Sequence, residues 1–183
     1  MKRPIQLILV LAIVAAAMTS CDFKDGQAIL IIESIDQVSA PFGDVLNSDG
    51  VVPSDSIGIT FLNEVKNLDG FGSSAQADII IEAITVSFNR IDGGSDTIPA
   101  FREALTLRVP ANGTSTIDSF PVLPSTRKLE FPVSDLIFFG FERSTNFTSI
   151  RVDVIIEVTG ETVEGDPVFV RGNISMELTD WAD

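Results

Sequence analysis

Acidic side chains are the most numerous groups in this sequence that could take part in catalysis. The 183 residues include 26 Asp and Glu against 12 Lys and Arg, with no His, no Tyr and one Cys. The lack of His excludes imidazole as a base or metal ligand, and a single Cys excludes a disulfide framework. Paired carboxylates can hydrolyse glycosidic bonds, but Asp153, Glu157 and Glu177 alternate with apolar residues, as solvated strand positions do. The sequence therefore predicts a protein that is not an enzyme.

Loops dense in Asp, Asn and Gly offer a second kind of chemistry, the binding of calcium. Calcium prefers several oxygen ligands from carboxylates and carbonyls. Residues 44–50 with Asp55, residues 67–70 and residues 92–96 have this composition, and Asp92 and Asp96 are the predicted ligands. The same residue types also form tight turns without any metal. A structural calcium ion and a plain turn therefore stand as alternatives.

Phenylalanine is the residue type best able to form a binding surface here. The chain has 13 Phe and one Trp, and most Phe belong in a core because the ring carries no polar group. The run Leu136–Phe141 is nevertheless too apolar for an ordinary connection between strands, and an exposed apolar patch marks a binding surface. We predict that Phe138, Phe139, Phe141 and Trp181 contact a protein partner, with burial in the core as the alternative.

The first 21 residues have the features of an export signal. Residues 1–3 carry two positive charges, and residues 5–18 are apolar apart from one Gln. This run is shorter than the ~20 apolar residues that a membrane span requires. It ends in Met18-Thr19-Ser20-Cys21, which resembles the lipobox of bacterial lipoproteins with Met in place of the usual Leu. The resemblance implies removal of residues 1–20 and attachment of diacylglycerol to the sulfur of Cys21.

Lipidation of Cys21 would anchor the protein to a membrane of the bacterial cell envelope, because two or three acyl chains bind a bilayer firmly. Asp22 resembles the signal that retains enterobacterial lipoproteins on the inner membrane. Other phyla follow other rules, so the inner and outer membranes both stay open. Residues 21–27 form a tether of at most ~20 Å. Loss of residues 1–20 leaves ten basic and 26 acidic residues, a net charge of −16, which repels nucleic acid and anionic lipids.

The elements that must position these residues are predicted to be short strands in one domain, residues 28–183. Residues 150–158 alternate apolar and polar side chains, and residues 168–178 repeat the pattern. The turn residues Glu164-Gly165-Asp166 between them predict an antiparallel hairpin. Gly172, on the inward face of the second run, predicts a β-bulge or a close approach of another backbone.

Other alternating or apolar runs bring the predicted set to about eight strands. They include residues 28–35, 57–62, 84–89, 105–109, 115–122 and 128–133. Only residues 134–141 are predicted to form a helical turn, with Ser134 as its cap and Gly140 as its end. This pattern indicates an all-β protein, a two-layer antiparallel β-sandwich of immunoglobulin-like or related topology, with a closed barrel as the alternative.

Taken with the predicted anchor, this architecture favours a non-catalytic envelope lipoprotein whose β-sandwich binds a protein partner or belongs to an envelope assembly. The short tether supports this interpretation because it confines the domain to the neighbourhood of the membrane. The alternative is a module that binds a glycan or another small ligand, with calcium in a loop. That alternative predicts exposed aromatic side chains beside polar groups.

Overall fold

The strands of this protein form where apolar and polar residues alternate. A computed structural model describes residues 27–38, 42–67 and 73–180. Between β2 and β3 lies a 3₁₀ turn, Ser74–Ala77, and two short helices connect β5 to β6. The strands are β1 (Ala28–Gln37), β2 (Asp55–Val65), β3 (Ile79–Arg90), β4 (Phe101–Val109), β5 (Thr114–Leu123), β6 (Ser149–Thr162) and β7 (Pro167–Thr179). The helices are α1 (Ser125–Lys128) and α2 (Val133–Phe139).

Two antiparallel sheets pack face to face, which confirms the predicted β-sandwich. One sheet has the order β1-β2-β5 and the other the order β4-β3-β6-β7. In a constant-type immunoglobulin domain, the fourth strand of the chain joins the sheet of the first two. Here β4 pairs with β3 instead. The topology is thus related to the immunoglobulin arrangement, with β4 on the opposite sheet.

The core lies between the two sheets and follows the predicted alternation. On β6, the five residues with even numbers from Ile150 to Val158 are fully buried. They face Ile57, Ile59 and Phe61 of β2, which are also fully buried. Each such side chain stabilises the fold by about 1.5–3 kcal/mol relative to an exposed one. These residues therefore determine which face of each strand turns inward.

The predicted hairpin of β6 and β7 is confirmed, but its Gly172 is not part of a bulge. The pairing runs from Ser149 opposite Thr179 to Glu161 opposite Pro167 without a shift in register, and Gly165 has a positive φ of 98° in the turn. A Cβ atom at Gly172 would lie 3.0 Å from the Cδ1 atoms of Ile32 and Ile35. The glycine therefore makes room for side chains of β1, and the predicted bulge is wrong.

Two predictions about the connection between β5 and β6 are also wrong. Residues 128–133 form the end of α1, a turn and the start of α2 rather than a strand. Pro132 has no N–H to donate to a sheet, so it suits the position just before a helix. Ser134 is not the cap, because α2 already begins at Val133. The predicted end is confirmed, since Gly140 closes α2 with a φ of 74°.

The two ends of the sandwich differ in the connections between strands that they carry. At the N-terminal end, Ala28 begins β1 opposite Val65, and the connections from β2 to β3, from β4 to β5 and from β6 to β7 lie beside it. At the opposite end lie the other three connections, including α1 and α2, and we call this the helical end. In the described ranges, no helix is long and apolar enough to cross a membrane.

Candidate functional site

Four phenylalanines at the helical end are exposed, and we call them the phenylalanine surface. Phe138 is 68% exposed and Phe139 is 52% exposed, at the end of α2. Phe131 and Phe141 are exposed as well, at 48% and 38%. The rings of Phe139 and Phe141 lie with their centroids 6.5 Å apart. The predicted binding residues on α2 and just after it are therefore at the surface rather than in the core.

The shortness of α2 explains why these rings remain outside. A helix buries one stripe of residues three or four positions apart. In α2 the apolar residues buried in this way are Val133 and Leu136, which are 0% and 1% exposed, and the intervening Ser134 and Asp135 are buried as well. The helix ends at Phe139, so Phe138 and Phe139 extend from its last turn beyond the reach of the core. Both rings belong to the last turn of the helix, which Gly140 ends.

Arg143 holds the phenylalanine surface in one arrangement. Its guanidinium carbon lies 4.9 Å from the ring centroid of Phe139 and 5.9 Å from that of Phe131. Its Nε donates a hydrogen bond of 2.9 Å to Oδ2 of Asp135, whose side chain is almost fully buried. A cation over an aromatic face attracts the ring electrostatically. Because Asp135 orients the guanidinium, both rings have a fixed support before any partner binds.

A buried cluster of charges lies near this surface, formed by Arg90, Asp92 and Glu142. Arg90 donates two hydrogen bonds to Asp92, from Nε to Oδ1 at 2.8 Å and from Nη2 to Oδ2 at 2.7 Å. Nη2 also lies 3.4 Å from Oε2 of Glu142. The three side chains are at most 4% exposed. This cluster joins the end of β3 to the segment that follows α2.

Glu142 is the most strongly hydrogen-bonded carboxylate of the cluster. Its oxygens accept hydrogen bonds from the hydroxyl groups and backbone N–H groups of Ser144 and Thr145. Burial alone would raise the pKa of Glu142, but the hydrogen bonds from Thr145, Ser144 and Arg90 outweigh it and lower the pKa to about 2. The carboxylate is therefore charged at neutral pH and fastens the loop that begins after the phenylalanine surface.

The two predicted calcium ligands lie in the loop after β3, but Asp92 is already engaged by other groups. Besides Arg90, its carboxylate accepts hydrogen bonds from the backbone N–H groups of Gly94 and Arg151. Burial opposes ionisation, but these bonds lower the pKa of Asp92 below its usual range. Asp96 contacts Arg90 through its backbone oxygen, which lies 3.4 Å from Nη1 of Arg90. Calcium at this loop stays a prediction, and it would have to compete with Arg90.

The described residues hold no cluster of side chains that could bind a metal ion. Across residues 27–38, 42–67 and 73–180, no group of three or more His, Cys, Asp or Glu side chains could hold an ion. The buried carboxylates are instead bonded to arginines, to Lys128 or to backbone N–H groups, as Asp78 is to Arg108 and to the N–H of Ala111. Their observed contacts are those of structural ion pairs.

A second buried ion pair, between Lys128 and Asp55, escaped the sequence analysis. Nζ of Lys128 lies 2.8 Å from Oδ2 of Asp55, and both side chains are 0% exposed. Nζ also donates a hydrogen bond to the backbone oxygen of Asp44, and the N–H of Gly43 donates one of 2.8 Å to Oδ1 of Asp55. Sequence alone could not reveal this pair because 73 positions separate the two residues and Lys128 was assigned to a strand.

Among the grooves on the surface of the described residues, two are relevant to binding. One of about 420 Å³ is lined by Phe147, which is 51% exposed, and by polar side chains. The polar lining residues are Asp92, Asn146, Thr148, Ser149, Arg151 and Glu177. The other groove, of about 480 Å³, follows the seam between the edge strands β1 and β7. The first groove combines an exposed aromatic ring with polar groups, as the predicted glycan-binding alternative requires.

The remaining predicted site residues are Cys21, Asp22 and Trp181. They lie outside the described residues. Lipidation at Cys21 and partner binding by Trp181 accordingly stay predictions.

Comparison with known proteins assigns this chain to no family. No protein-family model matches this chain, and no curated protein sequence matches it. One similar solved structure is a protein from Archaeoglobus fulgidus, with 18% identity, a TM-score of 0.43, and coverage of 81% of this chain and 97% of that one. Another is the solution structure of a putative late embryogenesis abundant protein, with 15% identity, a TM-score of 0.36, and coverage of 96% and 86%. The function proposed below therefore rests on the residues themselves.

Proposed function

We propose that this protein is a lipid-anchored, non-catalytic lipoprotein of the bacterial envelope that presents the phenylalanine surface to a protein partner. One observation carries the proposal: the exposed rings of Phe138 and Phe139 lie at the helical end of the sandwich. The chain enters the sandwich at the other end, where Ala28 begins β1. The start of β1 and the phenylalanine surface are thus at opposite ends of the strands.

The distances favour a surface that faces away from the anchoring membrane. Residues 21–27 reach at most ~20 Å, so the N-terminal end of the sandwich stays next to the bilayer. The ten residues of β1 span roughly 33 Å at about 3.3 Å per residue. The helical end therefore extends roughly 30 Å farther from the bilayer when the strands stand upright. A surface in that place meets other proteins of the envelope more readily than the lipid below it.

Charge also favours a protein partner over a lipid surface. After loss of residues 1–20 the chain has ten basic and 26 acidic residues, a net charge of −16. An anionic membrane repels such a domain, whereas a protein with basic residues around an apolar groove attracts it. Aromatic residues, Phe among them, are enriched in protein–protein interfaces relative to the rest of the surface. The partner that fits is a protein with an apolar groove and a basic rim.

The proposal is tested by crosslinking in native membranes. The double variant Phe138→Ser/Phe139→Ser removes the two most exposed rings of the phenylalanine surface. Phe169→Ser is a matched control, because Phe169 is 60% exposed near the start of β7, at the N-terminal end. Mild crosslinking, purification and mass spectrometry then identify proteins bound to the wild type and to each variant.

The expected result is one envelope protein in near-stoichiometric amount with the wild type and Phe169→Ser, and its loss from the double variant. Thermal melting of the three purified proteins should agree, since all three rings are exposed. A partner that persists in the double variant would show that another surface binds it. Binding of the unacylated protein to anionic vesicles through Phe138 and Phe139 would assign the surface to lipid instead.

A second candidate function is the binding of a glycan in the groove beside Phe147. Sugar rings stack on aromatic side chains while their hydroxyl groups bond to polar neighbours, and Arg151 and Glu177 line the same groove. Titration calorimetry with soluble oligosaccharides of the cell wall tests it. Binding by the wild type that is lost in Phe147→Ala would support this candidate, and no heat with either protein would refute it.

A further inference from the structure

The pair of Lys128 and Asp55 brings into contact, in a fully buried site, the amine and carboxyl groups that a condensation reaction would join. Nζ and Oδ2 are 2.8 Å apart. Because a carboxyl C–O bond is short, Nζ lies within roughly 4 Å of Cγ of Asp55. Two groups held this close in one chain react intramolecularly, and their effective concentration is far higher than that of two separate molecules in solution.

We infer that Lys128 and Asp55 form an intramolecular isopeptide bond between Nζ and Cγ. One proton first passes from the ammonium to Oδ2 of Asp55, leaving a neutral amine and a carboxylic acid. Nζ then attacks Cγ, the bond from Cγ to Oδ2 breaks, and Oδ2 leaves as water with the acid proton and one proton of the amine. No oxidant, metal or further reactant is needed.

The surroundings of Asp55 distinguish its two oxygens. The N–H of Gly43 donates a hydrogen bond of 2.8 Å to Oδ1, so Oδ1 is held and polarised as the oxygen that remains in the amide. Oδ2 faces the amine and is the one that leaves. Gly43 has a φ of 85°, and a Cβ there would overlap the backbone of Glu177. A glycine is therefore required for the N–H to reach Asp55.

Complete burial favours the neutral forms that react. Both side chains are 0% exposed. Burial raises the pKa of Asp55 and lowers that of Lys128, in each case against the attraction of the opposite charge. The charge of the nearby Asp44 raises the pKa of Asp55 further. A desolvated lysine amine is a nucleophile, whereas a solvated ammonium is not.

The bond would link β2 to the end of α1 and so fasten the helical end to the three-stranded sheet. Asp55 is the first residue of β2, and Lys128 is the last residue of α1. A covalent link between them would hold the segment that carries the phenylalanine surface. The inference does not depend on that surface having a partner, so its test is independent of the proposed function.

Tryptic digestion of the wild-type protein, purified from its own membranes and denatured, tests the inference. Trypsin cuts after Lys and Arg, so an unlinked chain releases residues 25–66 and residues 129–143 as separate peptides. An isopeptide bond blocks the cut after Lys128. The expected product is a branched peptide of residues 25–66 and 128–143, lighter than the sum of the two by one water molecule.

The branched peptide is needed because intact mass alone is ambiguous. An Asp-Gly pair such as Asp49-Gly50 can also lose water by forming a cyclic imide, but it leaves the cut after Lys128 unaffected. Lys128→Arg keeps the charge and cannot condense in this way, so it should give no branched peptide. Release of residues 129–143 as the only form from the wild type would overturn the inference, whether or not the variant folds.

Discussion

The buried carboxylate of Glu142 should stabilise the fold by an amount that depends on pH. Glu142→Gln keeps the size of the side chain but removes the charge that Arg90, Ser144 and Thr145 surround. An amide has one acceptor oxygen where the carboxylate has two. The variant is therefore expected to be less stable than the wild type at neutral pH.

The magnitude follows from the pKa. The hydrogen bonds lower the pKa of Glu142 from an ordinary 4.5 to about 2. At about 1.36 kcal/mol per pKa unit, the difference corresponds to roughly 3 kcal/mol of the free energy of unfolding. Because the folded pKa is lowered, this stabilisation is present above pH 4.5. It decreases as the pH falls and is lost once the pH falls through the folded pKa of about 2.

Urea unfolding followed by far-ultraviolet circular dichroism measures this difference between neutral pH and pH 3. Glu142→Gln should lose roughly 3 kcal/mol at pH 7, and its curve should approach that of the wild type in acid. Glu82→Gln is the matched control, because Glu82 is exposed on β3 and undergoes the same change of charge. A loss below about 1 kcal/mol at pH 7, or curves of variant and wild type that stay parallel into acid, would refute the reasoning.

Three substitutions and one change of metal content test the helical end. Leu136→Ala should cost about 2–5 kcal/mol in the same urea assay, whereas Phe138→Ala should change the free energy of unfolding by less than about 0.5 kcal/mol. Equal costs would contradict their different burial. Gly94→Ala should destabilise the fold by about 1–3 kcal/mol, because a Cβ at Gly94 would overlap the guanidinium of Arg90; an unchanged urea midpoint would show that Arg90 can move. The melting temperature should be the same in chelator and in millimolar calcium, since Asp92 already accepts four hydrogen bonds, and a rise with calcium would establish the metal.

The strands were predictable because a strand with one buried face requires apolar and polar residues to alternate along the sequence. Residues 150–158 alternate because successive side chains of a strand point to opposite faces, and every second one is buried on β6. The turn at Gly165 follows from its positive φ, which glycine adopts without steric cost. The order of the strands in each sheet has no local sequence pattern, and the sequence did not predict that β4 pairs with β3.

The candidate site was predictable only in part. Phe138, Phe139 and Phe141 stood out because six apolar residues in succession do not suit a connection between strands. Residues 128–133 were assigned to a strand because their mixture of apolar and charged residues is compatible with alternation. The burial of Lys128 depends on Asp55, which lies far away in the chain, and no local pattern reports such a pairing.

The sequence by itself determined the class of fold, the inward faces of most strands, the end of α2 and the acidic charge. These properties depend on residues close together in the chain, or on composition alone. Only the tertiary structure decided that the phenylalanine surface lies at the end opposite the start of β1, that Arg90 meets Glu142, and that Lys128 meets Asp55. Each of these is a contact or a distance between segments far apart in the chain, and it exists only after the two sheets have packed and excluded water from the groups between them.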